Sequence, residues 1–291
     1  MSQGKTNHGQ KLYGRCMRHK DVRLCAVGAL SFYLAYRFSI TQEFDGMRLS
    51  DWLVNSAWFD QKLLVEAFRP DRDYTKCMSN DTYSKAVRQV LTKLGISSNH
   101  WVHLGRTLGP KILEFLEVEA EEIRRLGNWD PKIQEKSYST KLPMKAIRAI
   151  AGFILANGMH YNPRTRVTVS ETLCRSTPFG FAWDAEEFVT QRMHEGEESK
   201  FTAVQFLRCM KQLSVVLLQD AAAIISLYPD RREHPIFRLE CFQSDEFQVS
   251  AVSCCFVFFL QAISHFLLRL QILIEDATRE LNRLDTRLQS K

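Results

Sequence analysis

The sequence predicts a mainly α-helical protein, and three features carry that prediction. Apolar residues recur at helical spacing in segment after segment, those segments stop at glycine or proline, and the closing stretch spaces its apolar residues by alternating fours and threes. The elements follow in order along 291 residues. The opening stretch Ser2-Gln3-Gly4-Lys5-Thr6-Asn7-His8-Gly9-Gln10 is polar and glycine-containing and reads as the tip of a small β-hairpin. No strand precedes it, so the chain is expected to begin inside a domain. After Asp21, the residues Val27, Leu30, Leu34 and Phe38 share one helical stripe.

A second helix is expected from Asn80 or Asp81 through Leu91, with Gly95 as its stop. Pro110 suits the first turn of a helix carrying Ile112, Leu113 and Leu116. Two short helices follow, one from Val118 to Leu126 ending at Gly127 and one from Met144 to Ile150 ending at Gly152. Residues 157–198 are rich in Pro, Gly, Thr and charge without sustained periodicity and read as an irregular excursion. Phe201 to Leu227 is again apolar on one stripe and stops at Tyr228-Pro229. Leu270, Ile274, Ala277, Leu281, Leu284 and Leu288 form a short coiled-coil seam, which makes a homo-oligomer plausible. These elements suggest three regions: residues 1–155, a linker over 156–200, and a helical region over 201–291.

Composition excludes a disordered tail: 45% hydrophobic and 25% charged content supports real cores. The net charge of +6 is modest but uneven. Up to Arg23 the chain holds Lys5, Lys11, Arg15, Arg18, Lys20 and Arg23 against the single acid Asp21. A basic patch of this kind suits a phosphate backbone, and it equally suits a solvated face. The eight cysteines show no CxxC pair and no signal peptide precedes them, so reduced thiols, without a zinc site or disulfide framework, are expected. The uncharged run Val249 to Leu268 has the length of a membrane span, yet Gln261, His265 and several serines favour a buried core helix. No cofactor, metal, membrane or small-molecule substrate is expected.

His103 and Arg106 stand one helical turn apart, so both can face a common phosphate. Downstream come Leu126-Gly127-Asn128-Trp129 and then Tyr138, and upstream lies Lys5. This ordered set resembles the tyrosine recombinase and integrase family, whose catalytic domain uses a hairpin lysine, His-x-x-Arg, a Leu-Gly-His or Trp element and a tyrosine. A closer resemblance is to its fungal branch, comprising recombinases of Crypton-type transposons and the DNA-binding second domain of the largest subunit of the yeast centromere-binding complex. Gly4 to Asn7, Met17 to Val22, Val27 to Leu30, His103 to Arg106, Leu126 to Trp129, Tyr138 to Phe153 and, more loosely, Val216 to Asp220 carry it.

The resemblance implies a recombinase-like helical fold with a small N-terminal β-hairpin and a C-terminal helical tail, working in the nucleus on duplex DNA. It assigns Lys5, His103, Arg106, Trp129 and Tyr138 to the family's catalytic positions. Arg106 would clamp a phosphate, His103 would orient it or move a proton, Lys5 would protonate the leaving 5′ oxygen, and Tyr138 would attack phosphorus. The family's first catalytic arginine precedes the hairpin lysine and Asn128 holds the histidine place, so DNA binding without strand cleavage is the expectation. Lys5, Arg15, Arg18, His19, Lys20, Arg23, His103, Arg106 and Lys141 are the candidate DNA contacts. Two other classes stay open: an active recombinase of a mobile element, and a helical interaction module built on the terminal heptads.

Overall fold

A computed structural model describes residues 3–4, 7–8, 16–65, 74–98, 101–127, 142–153, 162–192 and 198–252. The fold is mainly helical. Its elements are α1 (Ala26–Thr41), α2 (Asn55–Trp58), α3 (Asn80–Lys93), α4 (Leu104–Phe115), α5 (Ala120–Gly127), α6 (Met144–Ile150), α7 (Glu171–Arg175), α8 (Phe181–Arg192), α9 (Glu198–Leu227) and α10 (Glu240–Gln243). Residues 245–252 are also helical. Among the described residues, β-structure is confined to an antiparallel ladder pairing Gln3 with His8 and Gly4 with Asn7.

α9 is the central helix: residues 213–225, apolar but for Ser214, Gln219 and Asp220, are covered on nearly all sides, whereas Phe201, Thr202, Gln205, Arg208, Cys209 and Gln212 leave one face of the first half exposed. Ala203, Val204, Leu207, Leu217, Leu218 and Ala221 are each no more than 2% exposed. Residues Lys200–Leu227 are long and apolar enough to cross a membrane, but 67% of their most apolar window is covered by the protein itself. α1 lies antiparallel against α9: Ser31 donates to the carbonyl of Leu213 at 2.6 Å. Trp52, Trp58, Phe44, Phe179 and Phe181 complete this core with α8. A second, smaller core joins Leu113 of α4, Val118, Ile123 of α5, and Ala146 and Ala149 of α6.

The structure differs from expectation in two places. Residues 156–200 were expected to be irregular, yet their described part contains α7, α8 and the 3-10 turn Pro163–Arg166. Phe179 at 0% exposure anchors this segment, and the main core thereby runs across the expected boundary near residue 200. The helices are short, so no long periodic window announces them. Second, α4 begins at Leu104, which places Pro110 inside the helix rather than in its first turn. Proline has no N–H for the carbonyl one turn back, so Arg106 loses its usual helical acceptor bond.

Helix ends obey local chemistry. Ser79 accepts from the Thr82 amide at the start of α3, and Ser170 accepts from Leu173 at the start of α7. Glu122 accepts from the amides of Lys145 and Ala146, so α5 caps α6 across the smaller core. The Lys145 ammonium, 2.6 Å from Glu119, keeps that carboxyl below the usual carboxylate range. Gly152 follows α6 at φ +80°, where side chains are strained, and Phe153 N–H bonds back to Arg148 at 3.0 Å.

The six described cysteines are free thiols. Burial pushes the Cys241 thiol up to about 12, and burial also raises Cys174. Thiolate is the species that alkylates. Brief iodoacetamide treatment of the native protein at pH 8 is therefore expected to label Cys77 and to spare Cys241. Equal labelling of the two, read by peptide mass spectrometry, would mean that Cys241 is open to solvent. The coiled-coil seam, Cys254, Cys255 and the apolar run beyond residue 252 lie outside the described residues.

Candidate nucleic-acid interface

Residues 16–21 have no regular secondary structure, so their peptide groups need partners from elsewhere. Three remote segments provide them. The Lys20 amide donates to the Ala151 carbonyl at 2.8 Å, just after α6. Arg164, 0% exposed, donates through Nη1 to the Lys20 carbonyl at 2.8 Å and through Nη2 to the His19 carbonyl at 2.6 Å. Asn162 adds a bond from Nδ2 to the His19 carbonyl at 3.3 Å.

The remaining guanidinium nitrogen of Arg164, Nε, meets Asp220 Oδ1 at 2.7 Å. Asp220, on α9, is 1% exposed and also pairs with Arg18, whose other terminal nitrogen meets Gln219. Gln219 in turn donates to the Val167 carbonyl at 2.7 Å. A lone carboxylate in an apolar helix needs such compensation, since burying an unpaired charge is costly. Gly28 of α1 is required here. A Cβ at that position would collide with the Asp220 carboxylate, which its bonds to Arg18 and Arg164 hold in place, so glycine leaves room for the node.

This node decides which basic side chains reach the surface. Arg18 turns inward and is held by Asp220. His19 accepts the Asp21 amide at 2.9 Å through Nδ1, fixing its ring beside the turn. Lys20 forms no ion pair among the described residues. Arg23 is exposed and bonded to Asp21, with Nε 3.0 Å from Oδ1. That hydrogen bond from Arg23 holds the Asp21 carboxyl below the usual range, while burial partly opposes it, and Arg23 itself is raised.

On the neighbouring face, the 3-10 turn Trp101–His103 leads into α4, with His103 as the N-cap residue. The cap position has no side-chain cap bond and no acid in the first helical turn. Its positive dipole end therefore stands beside His103 and Arg106, both exposed, an arrangement suited to an anion. Arg106 lines a cavity of about 220 Å³ with Gly105, Gly109, Leu126, Gly127 and Ile150. A second cavity of about 280 Å³ is lined by Met17, His19, Leu24, Leu126, Ile147 and Ile150. The two cavities share Leu126 and Ile150, so the cavity that Arg106 lines and the one that His19 lines are neighbours.

Of the candidate contacts, Arg106 and His19 line these two neighbouring cavities, and His103, Lys20 and Arg23 line neither. Lys5, Arg15, Trp129, Tyr138 and Lys141 lie outside the described residues. Arg164, Asp220, Asn162 and Gln219 were missed as organisers of this surface. One signal was available: Asp220 is the only charged residue between Lys211 and Asp230. Among the described residues no group of three His, Cys, Asp or Glu side chains could hold a metal ion.

The described part of the chain is thus mainly helical, with Arg23, His103 and Arg106 exposed. A model of the family described as centromere DNA-binding protein complex CBF3 subunit, domain 2, matches residues 1–248. The chain belongs to this family. Searches of curated proteins and of solved structures gave no match.

Proposed function

We propose that this chain binds duplex DNA in the nucleus, gripping the phosphate backbone with Lys20, Arg23, His103 and Arg106. The observation that carries the reading is membership, over residues 1–248, of a family described as a domain of a centromere DNA-binding complex subunit. Exposed Arg23, His103 and Arg106 and half-buried Lys20 supply the chemistry, since phosphate contacts position a protein on a duplex without reading sequence. Arg18, committed to Asp220, belongs to the scaffold in this reading rather than to the contact surface. Lys5, Arg15 and Lys141 complete the proposed contacts. The finer reading is a fold derived from tyrosine recombinases of the Crypton type, without strand cleavage, dimerising through the C-terminal heptads. It rests on the order of the motif residues and the spacing of the leucines.

The test is fluorescence anisotropy of an arbitrary labelled duplex across a salt series. Wild type is expected to bind tightly at low salt and to weaken steeply as salt rises. Arg106→Ala should weaken binding and lower the log–log salt slope by about 0.9, the value for one lost phosphate contact. An unchanged affinity and slope would remove Arg106 from the interface.

A second reading, a helical interaction module, draws on one observation. Leu108, Ile112, Phe115 and Leu116 form an exposed apolar stripe on α4, with Phe115 86% exposed. Absence of DNA binding even at low salt would favour it.

A further inference from the structure

The buried node around Asp220 makes a poor stabiliser but a good template. It sets two guanidinium groups against one carboxylate, with Asp220 1% and Arg164 0% exposed. Buried ion groups of this sort stabilise no better than apolar residues of the same volume. What apolar residues could not do is hold a backbone. The planar fork of Arg164 uses all three nitrogens in different directions: Nε to Asp220, Nη1 to the Lys20 carbonyl, Nη2 to the His19 carbonyl. Lysine, a point donor on a flexible stem, has no such fixed fork.

We infer that Asp220 and Arg164 are positioning residues for DNA binding: they fix the backbone of residues 18–20 and thereby set where Lys20 and Arg23 stand relative to Arg106. This rests on the DNA-binding reading above. Neither residue touches DNA, because both are buried. Asp220 orients Arg164, Arg164 holds the two carbonyls, and the Ala151 carbonyl receives the Lys20 amide from the α6 side. The segment is therefore tied to α9 and to the end of α6 at once, and Ile150, the last residue of α6, lines the cavity that Arg106 also lines.

The experiment uses the full chain and the same labelled duplex. The double variant Arg164→Met/Asp220→Leu replaces the pair by apolar side chains and removes the carbonyl donors without leaving Asp220 as an unpaired charge, while Arg18 loses its carboxylate and keeps Gln219 as a partner. It is expected to melt cooperatively and to bind DNA with a log–log salt slope lower by about 1.8, for two phosphate contacts at about 0.9 each. In that background, adding Lys20→Ala/Arg23→Ala should cost far less affinity than it costs wild type, because coupled residues are non-additive. A purely structural role moves neither the slope nor the coupling, so an unchanged slope with full additivity overturns the proposal. If the double variant does not fold, Arg164→Lys, which keeps the charge and loses the fork, is read by the same two criteria. The two readings fail differently. Wild type that does not bind DNA sinks the DNA reading and this inference together, whereas salt-sensitive wild-type binding with unchanged variants sinks only the inference.

Discussion

Arg164→Ala is expected to lose about 3–5 kcal/mol of stability, the cost of breaking a buried charge pair from one side. The substitution leaves Asp220 buried with Arg18 as its remaining cation and removes the donors to the His19 and Lys20 carbonyls. Each of those acceptors was shielded by the fold and bonded, so its desolvation cost returns when the donor goes. Urea denaturation followed by circular dichroism gives the number. A loss under about 1 kcal/mol, the scale of an exposed pair, would mean that water reaches the node and takes over the bonds.

Trp52→Ala is expected to cost about 3–5 kcal/mol as well, for a different reason. Its ring is 2% exposed and lies parallel to Phe181, with centroids 5.5 Å apart and 5° between planes. It also stacks on Phe206 of α9 at 6.0 Å and touches Trp58 and Phe44. Removing it opens a cavity where α8, α9 and the 3-10 turn Leu49–Leu53 meet, and surrounding rings of fixed shape cannot collapse into it. The same denaturation assay decides. Trp52→Phe, which keeps part of the stack, should recover much of the loss, and failure to do so would mean that ring contact is not what Trp52 contributes.

Legibility along the chain followed the range of the interaction. α1 could be read because Val27, Leu30, Leu34 and Phe38 repeat on one stripe, and the structure forms the helix over Ala26–Thr41. α3 and α6 could be read because their stops are local: Gly95 and Gly152 both take positive φ. α7 and α8 could not, since Phe179 is buried by contacts with Phe38 of α1, a partner remote in sequence. Pro110 was misplaced because a helix can bypass one missing N–H when the following turn is anchored, here by Leu113 packed into the smaller core.

At the candidate site the division is the same. The basic character of the opening segment and the His103-x-x-Arg106 spacing are properties of residue type and helical pitch, and the sequence by itself determined them. Which cations face outward was decided by tertiary structure alone: Arg18 and Arg23 sit five residues apart in one basic run, yet Arg18 is drawn in by Asp220 and Arg23 remains exposed. The reason is that a buried carboxylate on α9 must find its counter-charge wherever the fold brings one within reach, and the separations from Arg18 and Arg164 to Asp220, 202 and 56 residues, leave no trace in local pattern.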